Sequence, residues 1–140
     1  RDQIMIDKID DILKAVEVRV RDILGKDSEG SQIYFHVYGK NGVMGELEPV
    51  KKTRSHELGI VIEVVAPAQA EADAVLALAR SVLLHYGYEG RIATAGNLAF
   101  PFSPSDVAMG KVYELAICHL MEVSDPGFFP VRIEQVGGKA

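Results

Sequence analysis

The chain opens on a helical rhythm. Ile9, Ile12, Leu13, Val16, Val20, Ile23 and Leu24 recur at three- and four-residue steps within residues 4–24, a spacing that gathers apolar side chains into one stripe of a helix. Asp7, Asp10, Lys14, Glu17 and Arg21 fill much of the opposite side. Gly25 follows the last apolar position, where a left-handed cap is expected. Residues 25–31 (GKDSEGS) read as a turn. The period then changes to two. In residues 32–39 (QIYFHVYG), Ile33, Phe35 and Val37 alternate with Tyr34, His36 and Tyr38, which predicts a strand. Asn41-Gly42 signals a tight turn. Residues 43–57 carry Pro49 and many charges and read as an excursion before the next strand. That strand is 57–67 (ELGIVIEVVAP), apolar almost without interruption. Such a run predicts a central position with both faces covered, ended by Pro67.

The helical rhythm returns over 68–87. Ala72, Val75, Leu76, Ala79, Val82 and Leu83 form its expected buried stripe, and Gly87 its expected stop. Residues 111–123 (KVYELAICHLMEV) and 129–136 (FPVRIEQV) read as a third and a fourth strand, and the tail 137–140 as loose. The order α-β-β-α-β-β predicts an α+β fold. It is a two-layer sandwich, a mixed four-stranded sheet with two helices on one face. Its β-α-β unit should be right-handed. The other face of the sheet is expected to carry Tyr34, Tyr38, Tyr113, Ile117 and Met121. That is too apolar for a fully wet surface and predicts a second contact, with another subunit or a further domain.

Composition narrows the function classes. The 140 residues are 48% hydrophobic and 25% charged, which suits one domain with one core. A net charge of -5 argues against nucleic acid and membrane as partners, since both favour clustered Lys and Arg. The tight basic cluster Lys51-Lys52-Thr53-Arg54 reads as a solvated loop. A single cysteine, Cys118, forms no internal disulfide, so the usual sign of an oxidising compartment is missing and the cytoplasm is the expected location. No apolar run approaches the ~20 residues that span a bilayer. The chain begins at Arg1 inside a helical pattern, which leads us to expect a domain taken from a longer protein.

Several chemical motifs fail on geometry. SHELGI (55–60) begins like the zinc-protease helix, but Ile60 stands where the second histidine is needed and the segment reads as a strand. GKNGVMG (39–45) is glycine-rich, yet acidic, proline-containing sequence follows it, where a phosphate loop needs a helix. His36, His56, His85 and His119 show no close metal-ligand spacing. A centre from His36, His119 and a carboxylate such as Glu122 is the metal reading weighed, and no metal site is expected. In a strand, Cys118 and His119 point to opposite faces, a poor geometry for a nucleophile and its base. Cys118 is expected to be a small buried hydrophobe.

Residues 91–107 (RIATAGNLAFPFSPSDV) fit neither period. Arg91, Thr94, Asn97, Ser103, Ser105 and Asp106 are their polar groups. Gly96-Asn97 suits positive φ and a close backbone approach, and the hydroxyls both donate and accept. An apolar loop with a few polar contacts is how ligand pockets are lined. The same composition suits a loop packed over the sheet, with Phe100 and Phe102 plugging the core edge. Ordered loops of this length are often functional.

YGKNGVMGELEPV, SHELGIVIEVVAPAQ, LLHYGYEGRIATAGNLAFPFSPSD and YELAICHLMEVSDPGFFP together resemble the C-terminal region of the acyclic terpene utilisation (AtuA-like) family. The likeness runs from about residue 33 to residue 135. TAGNLAFPFSPSD and HLMEV-DP are its most specific parts. The resemblance implies a larger protein with an N-terminal domain ahead of this one. It also implies a role in the breakdown of acyclic terpenes such as citronellol and geraniol, through CoA thioesters. It carries over no catalytic residue and no cofactor. Cys118 departs from the family pattern, where a larger residue is expected, which favours packing over chemistry. The expectation is a C-terminal domain whose loop 91–107 helps close a site shared with the N-terminal domain or a second subunit of a homo-oligomer. There Asn97, Ser103, Ser105 and Asp106 would orient a small-molecule acid or CoA thioester, with Arg91 as an anion contact. A structural or oligomerisation module is the alternative. A stand-alone enzyme ranks last, since no acid–base pair or partnered nucleophile is readable.

Overall fold

The first amphipathic pattern folds as two helices rather than one. In the computed structural model, which describes residues 1–93, 98–134, 136 and 137, α1 spans Gln3–Asp7 and α2 spans Ile9–Leu24. The break falls at Lys8, whose φ of -105° and ψ of 11° leave helical geometry. Its N–H donates to the carbonyls of Ile4 and Met5 at 3.3 and 3.2 Å. Asp2 caps α1 by accepting from the Met5 N–H at 3.0 Å. The expected stripe of α2 is buried at Ile9, Ile12, Leu13, Val16 and Val20. Ile23, placed in that stripe by spacing, is 49% exposed. Gly25 takes a positive φ of 53°, but its ψ of -121° lies outside the left-handed helical region expected of the cap, and a 3-10 turn, Gly25–Ser28, begins there.

Strands β1 (Gln32–Tyr38) and β2 (Gly59–Val65) pair antiparallel, with Phe35 opposite Ile62. The connection between them starts by wrapping around one acceptor. The N–H groups of Lys40, Asn41 and Gly42 all donate to the Val37 carbonyl, at 3.2, 3.0 and 2.8 Å. A Cβ at Gly42 would meet Tyr38 N and Val37 C at 2.8 Å, so only glycine fits this wrap. Ser55 closes the excursion, its hydroxyl donating to the Gly39 carbonyl at 2.6 Å.

Helix α3 spans Gln69–His85 and buries Val75, Ala79 and Leu83. Gly87 is not its stop. The helix leaves at Tyr86, which is already extended, and the Arg91 guanidinium takes over the cap. Its Nη1 donates to the carbonyls of His85 and Tyr86 at 3.0 and 2.7 Å. Terminal carbonyls have no partner within the helix, so a nearby cation satisfies them. The buried stripes of α2 and α3 meet Ile33 and Val37 of β1 in one cluster, with Phe35, Ile60, Ile62 and Val64 packed against it. On the far side of the sheet Tyr34, Tyr38 and Val61 are 43%, 49% and 51% exposed.

The fold is therefore α+β, with three helices and a two-stranded antiparallel sheet among the described residues. The expected third and fourth strands are not part of it. Residues 111–123 and 129–134 are exposed throughout and form no strand; Gln135 and residues 138–140, at the end of the fourth strand and in the tail, lie outside the described residues. The alternation of 111–123 gives a segment the right faces, but a strand also needs a neighbour to receive its backbone hydrogen bonds. For the same reason Tyr113, Ile117 and Met121 do not sit on the sheet, and Cys118 is exposed rather than buried. β2, expected to be central, lies at an edge, and its inward residues Ile60, Ile62 and Val64 are only half-buried.

Candidate functional site

The stretch 91–107 is held at both ends. Its lead-in, 86–91, is tied to α1. The Tyr88 hydroxyl donates to Asp2 Oδ2 at 3.0 Å. Lys8 Nζ donates to the Glu89 carbonyl at 3.2 Å and faces its carboxylate at 3.4 Å. Gly90, at φ 87°, lies so close to Ile4 that a Cβ would meet its side chain at 3.2 Å. The Met5 N–H, and then Tyr88, hold the Asp2 carboxyl below the usual carboxylate range. Burial, and then Asp2, push the Tyr88 phenol up.

The far end is tied to α3. Arg80 Nε lies 2.8 Å from Asp106 Oδ1 and donates to Oδ2 at 3.0 Å. The two side chains are 34% and 32% exposed, so water screens the pair only in part. Ser105 Oγ donates to Asp106 Oδ1 at 3.0 Å. The Arg80 guanidinium also sits over the Phe100 ring, 5.8 Å from its centroid. Between these ends Leu98 packs against the core and, with Met5, Ile6, Ile9, Leu58 and Ile60, lines a small cavity of about 20 Å3. Leu98, not the phenylalanines, plugs the core edge. Phe102 is 77% exposed.

The expected site residues thus separate. Ser105 and Asp106 are brought together with each other, and Ser103 is exposed two residues away. Arg91 is partly buried and holds the end of α3; it also donates from Nε to the Ala93 carbonyl at 2.6 Å. Thr94 and Asn97 lie outside the described residues. Sequence reasoning missed Arg80, which lies on α3, 26 residues before Asp106 along the chain. A signal existed: Arg80 is the one charged residue in 74–84 (AVLALARSVLL), and an isolated cation on such a face needs a partner.

Asp106 accepts from both Ser105 and Arg80, so its two oxygens are already engaged within the cluster. Phe102, Ser103 and Ser105 stay exposed at this anchored end of the stretch. Elsewhere, His36 Nε2 and Glu63 Oε2 are 2.9 Å apart on the outer face of the sheet, while His119 and Glu122 lie in the exposed segment 111–123. Among the described residues no cluster of three or more His, Cys, Asp or Glu could hold a metal ion. An open groove of about 840 Å3 runs between α2 and α3, lined among others by Lys14, Val18, Arg19, Ile23, Val82 and His85. No described residue of 91–107 lines it.

No helix among the described residues is long and apolar enough to cross a membrane. Comparison with protein-family models, with curated proteins and with solved structures finds no match to the chain.

Proposed function

We propose that this chain is the C-terminal domain of an AtuA-like catabolic protein, acting on an acyclic terpene acid or a related branched acid or CoA thioester. In this reading loop 91–107 forms one wall of a site completed by the N-terminal domain or by another subunit. The observation that carries it is the double clamp. The loop is fixed to α1 through 86–91 and to α3 through Arg80–Asp106, while Phe102, Ser103 and Ser105 stay open to solvent. A wall of this kind binds and orients; Arg91, Arg80 and Asp106 set its shape, and Ser103 and Ser105 offer the hydroxyls. Thr94 and Asn97 remain candidates for the same site from the sequence alone. In the assembled protein 111–123 and 129–136 are the further strands of a mixed four-stranded sheet.

The test is a thermal-shift screen of the full-length protein against CoA thioesters and short branched acids. A ligand should raise the melting temperature by mass action, and Ser103→Ala with Ser105→Ala should remove most of that rise while leaving the unliganded temperature within about 2 °C. No rise with any of these compounds, or a rise the double variant leaves intact, counts against the proposal. A second reading, an oligomerisation module without a site of its own, is favoured by the exposed apolar residues of 111–123.

A further inference from the structure

β2 has the composition of a central strand and the position of an edge strand. Ile60, Val61, Ile62, Val64 and Val65 are five β-branched apolar residues in seven, yet one side of the strand has no neighbour among the described residues. β1, with Gln32 and His36, has the more polar composition that edges carry. The chain also holds an unpartnered segment of the complementary kind. In 111–123, Tyr113, Leu115, Ile117, Met121 and Val123 fall on one face at period two. The first three are 85%, 86% and 67% exposed. No backbone hydrogen bond joins 107–124 to another described residue.

We propose that residues 111–123 form a strand on the free edge of β2 in a second copy of this chain, exchanged reciprocally within a twofold dimer. This rests on the reading of 111–123 as a strand. The hinge is short: only residues 107–110 separate the Asp106 anchor on α3 from the arm. A short connection favours exchange over folding back onto the same chain. The size is adequate. Two arms, each covering five large apolar side chains and the surface they meet, remove roughly 2,000 Å2 from water, at the upper end of the range for stable complexes. A closed twofold exchange also removes both exposed β2 edges, which would otherwise template open-ended association.

Cys118 is the only cysteine, lies on the arm and is exposed, so it takes a benzophenone-maleimide photo-crosslinker without mutation. Illumination of the 140-residue chain at about 10 μM should give a covalent dimer, with the crosslinked peptides falling in or beside 59–65. Light scattering should give about twice 15.3 kDa. Ile117→Glu should abolish both while leaving the helical circular dichroism unchanged, because the core contains no arm residue. Crosslinks to β2 within one chain overturn the exchange but keep the arm as a strand. Crosslinks that miss β2 overturn both readings. A dimer that survives Ile117→Glu also overturns the exchange.

Discussion

Removing Arg80 should release the end of the loop, and the size of the effect follows from its two contacts. The pair with Asp106 has both side chains about one-third exposed. An exposed ion pair contributes about 0.2–1 kcal/mol, and this two-oxygen contact from Nε belongs at the upper end. The Phe100 ring at 5.8 Å adds about 0.5 kcal/mol. Arg80→Ala should therefore cost about 1.5 kcal/mol and Asp106→Ala about 1 kcal/mol. The double variant should cost little more than Arg80→Ala, which gives a coupling energy of about 0.5–1 kcal/mol. Arg80→Lys keeps the charge but loses the planar group that meets both carboxylate oxygens and the ring, so it should fall between. Urea denaturation supplies the cycle, and a local probe separates it from a general effect. Chymotrypsin should cleave after Phe102, because the bond after Phe100 precedes proline. Cleavage requires the loop to open, and about 1 kcal/mol of lost clamp raises the open population about five-fold. Additive single costs, together with cleavage unchanged in Asp106→Ala, would refute the clamp.

Three further outcomes test other parts of the fold. Ile9→Ala, at a side chain 2% exposed, should cost about 2–5 kcal/mol in denaturant, whereas Ile23→Ala should cost less than about 1 kcal/mol although the sequence pattern places both residues in one stripe. Gly42→Ala should destabilise by about 1–3 kcal/mol, since its Cβ meets backbone that cannot swing aside; a melting temperature equal to wild type would contradict the wrap around Val37. The Asp2–Tyr88 contact should show in the pH profile of the melting temperature. The Asp2 carboxyl is lowered, so its contribution is present above the ordinary carboxylate range and lost as pH falls through the lowered value. The Tyr88 phenol is raised, so its contribution is present below the ordinary phenol range and lost as pH rises through the raised value. Tyr88→Phe should remove the alkaline loss and only part of the acid loss, because the Met5 N–H still holds Asp2.

Local periodicity was enough for the body of the fold. The positions of α2, β1, β2 and α3 follow from apolar spacing, because each buries its stripe against a neighbour within the first 85 residues. What spacing missed was decided by single polar contacts. Lys8 breaks the first helix although Ile4, Met5 and Ile6 continue its apolar run. Gly87 looked like the stop of α3, but the helix ends where a cation four residues further on reaches its last carbonyls. The clamp on 91–107 was half legible. Asp106 and Ser105 could be chosen from the loop itself, while Arg80, 26 residues away along the chain, is placed beside them only by the turn of α3.

The arm is where sequence and structure part company for a physical reason. Helices satisfy their backbone internally, so α2 and α3 form wherever their stripes find a core. A strand cannot, and its pattern records the surroundings it is built for rather than those within one chain. β2 and 111–123 each carry a pattern that the described residues leave unmet, and each supplies what the other lacks. Asp106 links this to the loop, since it pins the end of the candidate wall and also sets the point from which the arm departs. With the arm exchanged, only a ligand that contacts 98–107 differently in the two assembly states would shift the monomer–dimer balance, and assembly would then change its affinity by the same factor.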